Sequence, residues 1–118
     1  MSTIKVNSIE PANAGSEDYF LARAWINLNG TGTVAIRADG NVSSITDQGV
    51  GQYAVTFQNS FADVNYATTA TRSGSASGSY VAGGNAGYAP TSSAYYIGIT
   101  YPGVGNADDS IVAADFNR

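Results

Sequence analysis

The side chains here that could do chemistry are carboxylates, amides and aromatic rings, because the chain holds no cysteine and no histidine. Thiolate chemistry, disulfides, the usual zinc sites and imidazole acid–base catalysis are therefore excluded. Asp39, Asp47 and Asp63 are candidates for glycosidase carboxylates, which work in pairs ~5–9.5 Å apart across the scissile bond. Each sits in a turn signature, so turn residues are the expectation. Asp108-Asp109-Ser110, with Asn106, offers oxygens to calcium. That ion needs roughly six to eight ligands in defined geometry, and this spacing completes no such loop. A solvated turn is expected there. No nucleophile–base–orienter set can be assembled. The chain is expected not to be an enzyme and to need no cofactor and no metal.

Rings and amides carry a better case for binding. The segment from Ser73 to Ser93 is almost entirely Gly, Ser, Ala, Asn and Tyr. Tyrosine offers amphipathic contact area at low entropy cost, and Ser, Gly and Asn add adaptable hydrogen bonding. Tyr80, Asn85 and Tyr88 are the candidate residues for a glycan, within a long surface loop over 73–93. Trp25, the single tryptophan, could stack on a sugar. Its place on the second face of a strand favours a core or subunit-interface aromatic.

These residues need a scaffold, and the pattern gives one made of strands. Ala22, Ala24, Ile26 and Leu28 share one face at period 2, with Arg23, Trp25 and Asn27 opposite. Asn29-Gly30-Thr31-Gly32 signals a hairpin. Val34, Ile36 and Ala38 follow on one face of its return strand, which Asp39-Gly40-Asn41 ends. Tyr53, Val55 and Phe57 alternate inward. Val64–Thr71 is β-prone. Tyr95, Ile97, Ile99 and Tyr101 face one way, with Tyr96, Gly98 and Thr100 opposite. Ile111–Phe116 is a final strand. No window has the spacing of an amphipathic helix over three turns. Short strands separated by turns predict an all-β, antiparallel sandwich or barrel-like domain over 20–118. Residues 1–19 are expected to be an arm, with Ile4 and Val6 alternating as an added strand would.

Composition narrows the partners. Of the 118 residues only 12% are charged, about half the usual share, while 43% are hydrophobic. The net charge is −4 and the five basic residues are scattered, so no phosphate-binding stripe exists and nucleic acid is not expected. No apolar run reaches the ~20 residues of a membrane span, and the opening residues lack the apolar core of a secretory signal. A chain made in the cytoplasm with an extracellular-looking surface suits a virion component, released by lysis.

The residues also carry a resemblance. Ala22-Arg23-Ala24-Trp25-Ile26-Asn27-Leu28-Asn29-Gly30-Thr31-Gly32, with Ile36-Arg37 following, resembles the start of a module widespread in phage tail-fibre proteins. Asn41-Val42-Ser43-Ser44-Ile45-Thr46-Asp47 continues it without a gap. Gly49, Gly51, Tyr53, Val55 and Phe57 match its next block, and Asp63, Asn65 and Tyr66 the one after. Ser2-Thr3-Ile4-Lys5-Val6-Asn7 resembles the opening of many marine and cyanobacterial phage fibre proteins. The likeness covers about half the chain. It implies a homotrimer in the virion of a tailed bacteriophage; the arm is then expected to dock onto another virion protein or a neighbouring subunit, and the 73–93 loop to recognise host-surface glycan. Family fibres commonly carry a long shaft before this module, where this chain has an arm of under twenty residues. Residues 73–118 match no block of it. The alternative is a capsid decoration or head-fibre protein with a purely structural role.

Overall fold

A computed structural model describes residues 2–5, 7, 22–73, 81–85 and 87–118, with the backbone alone at Val81. The described residues form strands and turns without helix, as two antiparallel sheets packed into a sandwich. The strands are β1 (Ala22–Asn29), β2 (Ala35–Gly40), β3 (Val42–Gly49), β4 (Gln52–Phe57), β5 (Ala67–Arg72), β6 (Val81–Gly84), β7 (Ala94–Tyr101), β8 (Gly105–Asn106) and β9 (Val112–Asn117). One sheet runs β2-β1-β9-β5. The other runs β3-β4-β7-β6, with β8 paired to the end of β7. Most of the expected arm, residues 8–19, lies outside the described residues. Residues 2–5 are exposed, Ile4 at 88%.

Period-2 alternation builds the core. Ala24, Ile26 and Leu28 of β1 and Val112, Ala114 and Phe116 of β9 face Tyr53, Val55 and Phe57 of β4 and Ile97 and Ile99 of β7. Each large apolar side chain withdrawn from water contributes about 1.5–3 kcal/mol. Val34 and Ile36, expected inside, pack against this core only half-buried. Ala38 departs further and is exposed. A bulge opposite Asn27/Leu28 is the cause: Leu28 pairs with Ile36 and Asn27 with Ala38, so Arg37 is the extra residue and the face inverts past it. Arg37 Nη1 donates to the carbonyls of Leu28 and Ser110.

Asn29–Gly32 does join β1 to β2, though not through positive φ at Asn29 or Gly30. The left-handed residue is Gly32, at φ 62°. Asn29 Oδ1 accepts from Thr31 N (3.0 Å) and Thr31 Oγ1 (2.7 Å), closing the turn. Gly30 is needed for another reason: a Cβ there would lie 2.1 Å from the Tyr53 hydroxyl. Asn41, at φ 58°, turns the chain from the first sheet into the second.

A tyrosine anchors each end of β4, Tyr53 fully buried and Tyr66 half-buried. Near one end Phe57, Phe61, Tyr66, Tyr95 and Phe116 pack ring on ring, with Phe61 and Tyr66 stacked at 4.6 Å. The Tyr66 hydroxyl donates to Thr91 O at 2.8 Å, and burial pushes its pKa up to about 12. Near the other end the Tyr53 hydroxyl lies 3.2 Å from Gly30 O and 3.1 Å from Asp108 Oδ1. Burial, and then the Asp108 carboxylate, raise this phenol well above its ordinary value.

Asp109 corrects the expectation of a solvated turn, while Asp108 is exposed as expected but bonded within the chain. Asp109 is 4% exposed and forms an ion pair with Arg72, while its carbonyl accepts from Gly30 N at 2.8 Å. Asp108 Oδ1 accepts from Gly51 N at 2.8 Å as well as from Tyr53. The acids tie the β8–β9 connection to the Gly30 and Gly51 turns. Among the described residues no three acids lie together as a metal site.

Candidate functional site

The segment expected as one long loop contains a strand. Residues 81–84 pair with β7, placing Gly83 against Gly98 and Ala82 against Ile99. On the outer side of this sheet β7 presents Tyr96, Gly98 and Thr100, alternating with the buried Ile97 and Ile99. Gly98 lies between Gln52 of β4 and Gly83 of β6. Adjacent glycines leave the sheet bare of side chains, and the chain after β6 folds down onto it. A Cβ on Gly98 would meet Asn85 Cα at 3.2 Å.

Asn85 organises the turn above. Its N–H donates to Tyr96 O at 2.8 Å, its Oδ1 accepts from Gly87 N at 3.0 Å, and its carbonyl accepts from Tyr88 N at 3.1 Å. An Asx turn of this kind reverses the chain locally. It sets the Tyr88 ring on that of Tyr96, with centroids 5.0 Å apart and planes 21° from parallel. Tyr88 remains 49% exposed.

Beside this stack lies an open groove of about 370 Å³, lined by Gln52, Asn85, Tyr88, Thr100 and Asn106 with the backbone of Gly84, Gly87 and Gly98. Every lining side chain is uncharged. Thr100 Oγ1 donates to Asn106 Oδ1 at 3.3 Å. Asn85 Nδ2 is buried and has no hydrogen-bond partner among the described residues. Amides and hydroxyls can match a polyhydroxylated ligand in both senses, donating and accepting. Among the described lining residues there is no carboxylate and no basic side chain.

Of the candidates named from sequence, Asn85 and Tyr88 come together here, and Tyr80 lies outside the described residues. Gln52, Tyr96, Thr100 and Asn106 were not foreseen as partners. The signal for Tyr96 and Thr100 was present in their alternation with Ile97 and Ile99.

Other candidates lie elsewhere. Asp47 Oδ1 caps Gly49 N and Asp63 Oδ1 caps Asn65 N, at 3.0 and 2.8 Å, as turn residues do. Asp63 also pairs with Arg118 at 2.8 Å. Asp39 lies exposed in β2. Trp25 is not in the core of this chain: it is 43% exposed, on the outer side of the first sheet. A larger cleft of about 510 Å³ lies among Arg23, Asn41 and residues 58–62. There Asn41 is engaged internally, donating to Arg23 O and Asn59 O and accepting from Asn59 N. No family model, no curated protein and no solved structure matches this chain.

Proposed function

We propose that this chain is a virion protein of a tailed bacteriophage, a trimeric tail-fibre-like module that recognises host-surface polysaccharide through the groove at Asn85, Tyr88 and Tyr96. The virion assignment and the trimer rest on the sequence blocks between Ala22 and Tyr66. One observation carries the glycan assignment: the exposed Tyr88, stacked on Tyr96, borders a groove whose described lining is neutral amides, hydroxyls and backbone. A tyrosine face packs against the C–H face of a pyranose while its hydroxyl bonds the ring substituents. Stacking on Tyr96 holds the Tyr88 ring in place, so less freedom is lost on binding.

The groove favours a neutral sugar. Its lining offers no cation to an acidic one, and the chain's −4 charge slows the approach of a polyanionic capsule. The arm, through its exposed Ile4, would join the module to other virion proteins.

Tyr88→Ala is the test, read by adsorption of phage to host cells and by binding of purified host polysaccharide. Adsorption is expected to fall about tenfold or more, with thermal stability unchanged, because Tyr88 lies outside the core. Adsorption at the wild-type rate would remove the groove from recognition and move the assignment to a capsid decoration or head-fibre protein. A stable monomer at micromolar concentration in sedimentation would overturn the trimer.

A further inference from the structure

The opposite side of the sandwich carries a second constellation. On the outer side of the first sheet, Trp25 pairs laterally with Gly40 on β2 and Asp115 on β9, and Asp115 pairs with Thr69 on β5. One register step along, Asn27 pairs with Ala38 and Ala113, and Ala113 with Thr71. These positions alternate with buried ones, so their side chains point away from the core. The indole occupies the space above Gly40, where a Cβ would lie 2.3 Å from Nε1. The smallness of Gly40, Ala38 and Ala113 leaves the aromatic ring standing over a shallow trough of about 270 Å³, lined by Trp25, Asn27, Thr69, Thr71 and Asp115.

Two acceptors in this trough are incompletely used. Asn27 Oδ1 is buried and has no hydrogen-bond partner among the described residues. Asp115 receives one bond from a side chain, Asn117 Nδ2 to Oδ2, at a long 3.3 Å. Such acceptors call for an occupant that brings hydroxyl donors. A buried acceptor without a donor is costly, and bonds to a carboxylate are stronger than neutral ones.

We propose that this trough is a second saccharide-binding site, taking a neutral pyranose. One C–H face of the sugar rests on the Trp25 indole. Vicinal hydroxyls donate to Asp115 and to Asn27 Oδ1, and the outward Thr69 and Thr71 hydroxyls border the ring. A second copy of the chain is the other natural occupant of a sheet face. It fits less well, because it would shut Asp115 from water where the residues paired with it, Trp25 and Thr69, carry no charge, and the outward Arg23 of β1 donates through Nε to Arg118 O. Burying an uncompensated carboxylate is strongly unfavourable. A sugar supplies donors without a competing charge. The site lies across the sandwich from the Tyr88 groove and goes beyond the function proposed for it: each can fail without the other.

Trp25 is the only tryptophan, so its emission reports this site alone. The experiment titrates the full chain with dextran, mannan and galactan oligosaccharides, and with alginate oligosaccharides as the acidic control. A saturable emission change is expected with a neutral series and not with alginate. Asp115→Asn should weaken it about 10- to 100-fold, the scale of a lost bond to a charged acceptor, and Tyr88→Ala should leave it unchanged. Trp25→Phe, followed by calorimetry, should weaken binding while melting temperature stays put. No emission change with any neutral series, an alginate response as strong as theirs, or Asp115→Asn binding like the wild type would each overturn the proposal. An emission shift that follows protein concentration without sugar would assign the face to a second copy instead.

Discussion

Replacing Tyr53 by Phe tests the anchor that joins three turns. The ring is fully buried and is kept by the substitution, so no large cavity opens. What is lost is one hydroxyl, whose proton is shared between Gly30 O at 3.2 Å and Asp108 Oδ1 at 3.1 Å. A bond to a charged acceptor contributes about 1.5–3 kcal/mol. Asp108 is exposed and keeps its 2.8 Å bond from Gly51 N, so water can partly restore it and the loss should lie low in that range. We expect about 1–2 kcal/mol, a melting temperature lower by roughly 4–8 °C for a chain of this size. Urea denaturation should show a lower midpoint at unchanged slope. A loss under ~0.3 kcal/mol would refute the anchor, since that lies within the range of surface changes. The pH dependence gives a second check. The phenol titrates higher in the folded than in the unfolded protein, where it is near 10. Above that pH the unfolded state binds fewer protons, so stability is complete below about pH 10 and falls as pH rises toward the folded value. Tyr53→Phe should flatten that decline, and Tyr66, raised to about 12, should account for part of what remains.

Val55 is fully buried, and Val55→Ala should lose ~1–3 kcal/mol in urea denaturation through burial and cavity terms. Asp109→Ala removes the buried carboxylate that accepts from Arg72 Nε and should lose about 1.5–3 kcal/mol in urea denaturation, the scale of a bond between charged groups. Gly51→Ala and Gly49→Ala should separate sharply in melting temperature. Both glycines have positive φ, but a Cβ at Gly51 would lie 2.6 Å from Ile99 O and 2.7 Å from Ala107 O, while one at Gly49 meets nothing within 4 Å. A similar loss at both would mean that φ strain, not the close backbone approach, dominates at Gly51.

The fold was legible where alternation and local turns determine it. Tyr53, Val55, Phe57, Ile97 and Ile99 lie inside as the period of two requires, because strands buried on one side must alternate. Ala38 failed because one bulged residue inverts a face, and nothing in Ile36-Arg37-Ala38 marks the insertion. The strand at 81–84 was hidden by Gly83 and Gly84, poor strand formers that pair here with Gly98 and Ile97, where the bare Gly98 leaves room for Asn85 to fold back over it. Asp109 was read as solvated because its partner Arg72 is 37 residues away, and Asp108's partner at Gly51 is 57 away. Local pattern carries no record of such distances. The groove was half-legible for a related reason. Asn85 and Tyr88 stand in a segment whose composition signals binding, but Gln52 and Asn106 join them only through the register of β4, β7 and β8.

The pairing of β1 with β9 has a consequence for how the chain is made. Ala22 lies opposite Asn117, and these two strands form the middle of their sheet, with β2 and β5 outside them. Of the described strands, the first to leave the ribosome therefore waits for the last before it gains its central neighbour. Until Val112–Asn117 has emerged, β1 and β5 each present an open edge, the form in which strands find wrong partners. Completion of this sheet must follow synthesis of β9, at the slow rates typical of non-local β pairing. A nascent chain stalled before Ile111 should accordingly be sensitive to protease and bound by chaperones, while emergence of β9 allows the sheet to close.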